Sequence, residues 1–228
     1  MKISTEFSKF ANEYNKNNII QNKVADKLLR NLICKPKNIL DIGCGSGAIC
    51  KRVDWKYDSF TGIDFAKGML DIHPKSQHIN CVYGDFNDEN FLNQFIDNKY
   101  DYIISASALQ WANDLDSIFY QIGKFNTNIS LAIFTSNTFK TLHKTASLDS
   151  ILKDTNTVNE LQKKYLNCKS EVVNYKLEFN SIRDMFRYIK QSGVSASRNV
   201  LGYKETKKLM EDYPLNYLEF EVIFIYSH

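Results

Sequence analysis

The sequence is poor in the residues that break or cross-link a chain. It has 3 prolines and 9 glycines, too few for a fibrous or low-complexity disordered protein. Its 5 cysteines (Cys34, Cys44, Cys50, Cys81 and Cys168) are odd in number and show no C-x-x-C spacing. Neither a disulfide framework nor a zinc site is therefore expected, and a reducing compartment, the cytoplasm, is. No apolar run approaches the roughly 20 residues of a membrane span. The opening stretch MKISTEFSKFANEYNKNN is polar and lacks an apolar h-region, so no signal peptide is expected. No Gly-Lys-Ser/Thr is present, which excludes a P-loop. The 4 histidines (His73, His78, His143 and His228) have no ligand spacing, and no metal is expected.

What is present is the composition of a folded domain. The chain has 228 residues, 43% apolar and 24% charged, enough for one α/β domain with a full core. The net charge of +3 hides an asymmetry. Phe139 to Met210 holds 14 Lys/Arg against 7 Asp/Glu, an excess of 7, which leaves the remainder at −4. Such a basic region suits an acidic partner or is a solvated lysine-rich face.

Periodicity supplies the elements. Phe7 to Ile33 reads as one or two helices, with Val24, Ala25, Leu28, Leu29, Leu32 and Ile33 at helical spacing, ended by Pro36. Strands are predicted at Asn38 to Ile42, Ser59 to Ile63, Ile79 to Tyr83, Tyr100 to Ser105 and Ile129 to Thr135. Helices are predicted from Ala48, over Ala112 to Lys124, and over much of Thr138 to Lys169. Two further strands, Glu171 to Glu178 and Leu218 to Tyr226, flank helices at Ile182 to Gln191 and Lys204 to Asp212. The alternation predicts a Rossmann-like α/β fold: seven strands, mostly parallel, the final strand antiparallel, helices on both faces, and a helical lid inserted after strand 5. No interdomain linker is visible. One domain is expected over 1–228: N-terminal helices over 1–35, a ligand-binding core over 38–137, a lid and substrate region over 138–215, and a final strand over 216–228.

Chemistry concentrates at three predicted strand ends. Ile39-Leu-Asp-Ile-Gly-Cys-Gly-Ser-Gly47 places Gly43, Gly45 and Gly47 between a strand and a helix, where glycines allow a tight turn and close backbone approach to a ligand. Asp41 before them suits a positive centre better than a pyrophosphate. Asp64 ends the second strand 23 residues later, where an acidic residue receives ribose hydroxyls in nucleotide-binding sheets. Gly84-Asp85-Phe86 ends the third: a carboxylate to accept an adenine amino group, and an aromatic ring to cover the base. Each aspartate alone could be a helix N-cap. Three in succession at one sheet edge point to a ligand.

These segments resemble the first three motifs of class I S-adenosylmethionine-dependent methyltransferases. The segment Ser105-Ala-Ser-Ala-Leu-Gln-Trp111, with Asn113 and Asp114 just beyond, resembles the malonyl-acyl-carrier-protein O-methyltransferases of biotin synthesis. So do Phe7-x-x-Phe-Ala-x-x-Tyr14, Phe134-Thr-Ser136 with Leu142, Arg187-x-x-Lys190-x-x-Gly193, and Pro214-Leu-x-Tyr217. Two places depart from the family: Ala106 stands where Asn is common, and Phe139-Lys140 where smaller residues are usual.

The resemblance implies S-adenosylmethionine as cofactor, with S-adenosylhomocysteine as product, held by Tyr14, Asp41, Gly43, Cys44, Gly45, Gly47, Asp64, Phe65, Met69, Gly84, Asp85, Phe86, Ser105 and Ala106. It implies an acyl carrier protein bearing a malonyl group as partner, a monomeric chain, and no nucleic acid or membrane. No general base is required, because a malonyl carboxylate is ionised at neutral pH. Tyr14, Gln110 and Trp111 are expected to position the reactants. Gln110, Trp111 and the cations Arg187, Lys190 and Arg198 are the substrate-side candidates. Two alternatives stay open: a methyltransferase of a free small acid or other small molecule, and a non-catalytic nucleotide- or RNA-binding module. An RNA nitrogen methyltransferase would usually show Asn/Asp-Pro-Pro-aromatic after the fourth strand, where this chain has Ser105-Ala-Ser-Ala108.

Overall fold

A computed structural model describes residues 18–88, 90–191 and 201–228, without the side chains of 190 and 191. Its seven strands are β1 (Asn38–Ile42), β2 (Ser59–Asp64), β3 (Ile79–Tyr83), β4 (Tyr102–Ala106), β5 (Asn128–Phe134), β6 (Lys169–Glu178) and β7 (Tyr217–Tyr226). They form one sheet in the order β3-β2-β1-β4-β5-β7-β6. β1 pairs parallel with β2 and β4, β2 with β3, and β4 with β5, while β7 runs antiparallel between β5 and β6. The order reverses between β1 and β4, and ligands bind outside the carboxyl ends of strands at such a switch point.

Each face of the sheet buries its own apolar layer. Helix α1 (Ile19–Arg30) lays Ile20, Val24 and Leu28 on Phe60, Tyr102, Phe220 and Phe224. The i, i+4, i+8 spacing makes one stripe, and Lys27 and Arg30 sit in the last turn, where cations complement the helix dipole. On the other face α3 (Leu115–Gly123) packs Ile118, Phe119 and Ile122 against Leu40, Ile103 and Leu131. Each fully buried aliphatic chain contributes roughly 1.5–3 kcal/mol. Helix α3 begins later than the periodicity predicted because the Asp114 carboxylate accepts from Asp116 N and Ser117 N and fixes the start.

Two predicted helices are shorter than expected. The segment from Ala48 is helical only as a 3-10 turn at Cys50–Arg52. Trp55 Nε1 donates to Pro36 O at 2.8 Å, tying the chain to the far edge of the sheet before a longer helix can form. A short α2 (Lys67–Asp71) follows β2. Thr138 to Lys169 holds α4 (Lys140–Thr145) and α5 (Thr155–Tyr165), with irregular chain between them. Asp154 caps α5 through Thr157 N at 2.9 Å and Thr157 Oγ1 at 2.7 Å. Helix α5 buries Val158 in the second layer and holds Asp116 through Tyr165 Oη at 2.6 Å.

The region 138–215 thus divides at β6. α4 and α5 precede that strand, and α6 (Ile182–Gln191) and α7 (Tyr203–Asp212) follow it. α6 buries Met185 and Tyr188 in the first layer. Among the described residues no helix is long and apolar enough to cross a membrane.

Candidate functional site

The loop after β1 is fastened to β2: Gly43 N and Cys44 N both donate to Ile63 O, at 2.8 and 2.9 Å. Its glycines do different work. Gly43 has φ +74°, and a Cβ there would stand 2.1 Å from Ala108 Cβ, so the loop and the turn after β4 meet at van der Waals distance only because the side chain is absent. Gly45 has φ +52° and nothing within 4 Å of where a Cβ would be, so bare backbone faces open space.

Asp41 beneath this loop is 1% exposed, and neither carboxylate oxygen has a hydrogen-bond partner. Burial, with the Asp64 charge second, pushes its carboxyl up to about 8. An unpartnered buried carboxyl is expensive to ionise, and a cation placed beside it removes that cost.

Asp64, 7% exposed, accepts from Gly45 N through Oδ2 and from Ala66 N through Oδ1, both at 2.8 Å. Burial pushes it up to about 6 against those backbone hydrogen bonds, and the Asp85 charge raises it further. Phe65 N–H also lowers it, and lone pairs beyond these bonds can accept from a ligand hydroxyl. Asp85 Oδ1 accepts from Asn87 N at 2.9 Å and from Asn87 Nδ2 at 3.0 Å. Asn87 Oδ1 in turn accepts from Asn113 N at 2.7 Å, so Asn87, which sequence reasoning missed, joins the β3 exit to the entrance of α3.

The structure moves several expected contacts inward. Phe86 is 3% exposed and packs in the second core layer, so its ring is committed to the core and not left free to cover a base. Met69 is 2% exposed and packs with Ala66, and Phe65 is half-buried. Cys44 is buried; burial first, then the Asp41 charge, raises its thiol well above the usual range, as befits a packing thiol. Its Sγ lies 2.8 Å from where a Gly62 Cβ would be, which explains a glycine in mid-strand. Gly84 is matched to Phe91, whose ring a Cβ would meet at 2.1 Å. Gly47 rests on Pro74 and His73: its Cβ would be 2.5 Å from Pro74 Cδ. His73 is 2% exposed and held below the usual imidazole range by burial.

At the end of β4, Ser105 is fully buried and its Oγ donates to Ile42 O at 2.7 Å, a strut between β4 and β1. Ala106 ends the strand. Leu109–Trp111 is a 3-10 turn. Gln110 Nε2 donates to Ser107 O at 2.6 Å, and Trp111 is half-buried. Of the substrate-side cations, only Arg187 has a described side chain. Arg187 is exposed and pairs with Asp184 at 2.8 Å. Tyr14, Arg198 and the Lys190 side chain lie outside the described residues. Among the described residues no group of three or more His, Cys, Asp or Glu could hold a metal ion.

Residues 39–125 match the family model described as a methyltransferase domain. That match and the sheet order make the chain similar to class I methyltransferase domains of the S-adenosylmethionine-dependent kind. Within this class the chain resembles the malonyl-acyl-carrier-protein O-methyltransferases. It is 27% identical to malonyl-[acyl-carrier protein] O-methyltransferase 2 of Ilyobacter polytropus, over 100% of this chain and 94% of the relative. It is 28% and 32% identical to proteins named malonyl-[acyl-carrier protein] O-methyltransferase from Bacillus cytotoxicus and Acetivibrio thermocellus, over 62% of this chain in each case. The matches span about half the length of those two relatives, 53% and 52%. The fold is that of the YcgJ protein from Bacillus (TM-score 0.63, 11% identity, 90% of this chain and 99% of that one). It is also that of phosphoethanolamine N-methyltransferase 2 from Haemonchus contortus (TM-score 0.59, 16% identity, 97% of this chain and 57% of that one).

Proposed function

We propose that this protein transfers a methyl group from S-adenosylmethionine to the free carboxylate of a malonyl group carried on an acyl carrier protein, acting as a monomer in the cytoplasm. The observation that carries the cofactor is Asp41: a buried carboxyl without a partner, beside a glycine that leaves open space. A cationic, close-lying ligand satisfies both. Asp41 would meet the ammonium of the methionine end, Asp64 the ribose hydroxyls and Asp85 the adenine amino group. The likeness to Ilyobacter polytropus malonyl-[acyl-carrier protein] O-methyltransferase 2 along the whole chain supports the acceptor.

The cofactor supplies a methyl group already activated on a sulfonium. A carboxylate oxygen forms the new O–C bond as the C–S bond breaks, and the electron pair leaves on a neutral sulfur. No proton moves, so the chain's residues have only to orient and desolvate. Asp41 and Asp64 fix the donor at β1 and β2, which leaves the β4 and β5 edge, with Gln110 and Trp111, to the acceptor. The basic stretch between Phe139 and Met210 suits an acidic carrier, and that contact should weaken with salt.

Incubation with S-adenosylmethionine and malonyl-carrier protein should give the methyl ester by mass spectrometry. Product from free malonate but not from the carrier-bound form would replace this reading with the small-acid one.

A further inference from the structure

Three features of the turn after β4 belong together. Ser107 has φ +61°, in the left-handed region that a serine enters only under compulsion. Its Oγ is buried with no hydrogen-bond partner. Three residues on, Gln110 Oε1 is also buried and without a partner. A strained backbone and two unsatisfied polar atoms within four residues all cost stability. All of them stand at the carboxyl edge of β4, where Ala108 touches Gly43 and Ser107 N donates to Ala132 O of β5 at 2.9 Å.

The chemistry of the pair is defined. Gln110 Nε2 is committed to Ser107 O at 2.6 Å, and turning the amide over would set oxygen against oxygen. Gln110 therefore presents Oε1 as an unpaired acceptor, with the second Nε2 hydrogen as a further donor. Ser107 presents a hydroxyl that can donate. A ligand that satisfies both offers a donor, an N–H or O–H, to Gln110 Oε1 and an oxygen to Ser107, and an amide has both. A bare carboxylate has no proton to give, and a free dicarboxylate would leave Gln110 Oε1 unpaired.

We propose that Ser107 and Gln110 form a subsite for an amide in the arm that carries the acid, so that the enzyme recognises an amide-bearing thioester and not the free diacid. This rests on the carrier-thioester reading above and narrows it. The contact is remote from the reacting carboxylate and positions it.

The test uses two small acceptors with the intact protein: the malonyl thioester of N-acetylcysteamine, and its ketone analogue, in which the amide N–H is replaced by CH2. Wild type should show a kcat/KM at least about tenfold higher for the amide, a difference of about 1.4 kcal/mol. Gln110→Met should bring the two within about twofold, and Ser107→Ala should raise KM for the amide more than it lowers kcat. S-adenosylmethionine affinity by calorimetry should hold in both variants. Equal kcat/KM for the two thioesters in wild type, or a preference that survives Gln110→Met, would overturn the proposal. So would loss of cofactor affinity at unchanged acceptor KM, which would give the pair to the cofactor. If Gln110→Met does not fold, Ser107→Ala decides by the same readouts. A wild type that methylates neither thioester but does methylate free acids would remove the carrier reading itself, a different outcome from methylation without amide preference.

Discussion

Gly45 N donates to Asp64 Oδ2 at 2.8 Å, so the carboxylate proposed to hold a ribose also holds the glycine loop. The ends of β1 and β2 are thereby one unit. Asp64→Ala removes both functions. Hydrogen bonds to a charged group contribute roughly 1.5–3 kcal/mol each, so S-adenosylmethionine should bind at least about tenfold more weakly by calorimetry. Unchanged affinity would sink the cofactor assignment.

Asp41 gives the site a pH signature. Its folded-state value of about 8 lies above its ordinary value, so its contribution to stability is complete below the ordinary carboxylate range and is lost as pH rises toward about 8. The free protein should lose melting temperature over that window, and Asp41→Asn should flatten the loss. An ammonium ligand relieves the ionised form, so S-adenosylmethionine should raise Tm more at about pH 9 than at about pH 6. Thermal scans with and without ligand, in wild type and Asp41→Asn, measure both effects.

The two loop glycines should fail differently. Gly43→Ala meets Ala108 at 2.1 Å and should destabilise the fold, with partial recovery in the Gly43→Ala, Ala108→Gly double variant. Gly45→Ala meets nothing within 4 Å. It should cost only roughly 1–3 kcal/mol for its left-handed backbone, yet weaken cofactor binding about tenfold or more. Urea unfolding and calorimetry separate the two cases.

Glu221 is a structural hinge pin on β7. It is 9% exposed and accepts from Asn137 Nδ2 at 3.0 Å, from Thr155 Oγ1 at 2.8 Å and from Thr135 Oγ1, joining the β5 exit, the start of α5 and β7. Burial raises its carboxyl, but these hydrogen bonds outweigh burial and hold it below the usual value. That contribution is present above the ordinary carboxylate range and is lost as pH falls through the depressed folded value. Glu221→Ala, which strands three donors, should cost about 2–4 kcal/mol, and Glu221→Gln should cost less. Both should also flatten the acid limb of the stability curve.

The strands were readable because a strand's signal is local: short apolar runs bounded by glycine, aspartate or asparagine. The acidic strand ends were readable for the same reason, since Asp41, Asp64 and Asp85 each stand at or within two residues of the end of such a run. Helix limits were not. Trp55 reaching Pro36 and Asp114 capping α3 depend on distant chain or on side-chain geometry. Phe86 looked free for a ligand because sequence gives no direction to a side chain at a strand exit, and the structure turns it into the core. Glu221 lay inside an apolar run with nothing to mark its partners, which are 66 to 86 positions away.

By itself the sequence determined the layer pattern, the glycine turn and the order of carboxylates along one edge, because each is set by residues within a few positions of one another. Only the tertiary structure decided which of those groups are satisfied. The Asp41 carboxyl, Ser107 Oγ and Gln110 Oε1 are left without partners, while Asp64 and Glu221 accept hydrogen bonds, because the partner of a buried polar atom is chosen by strands and helices that the fold alone brings together.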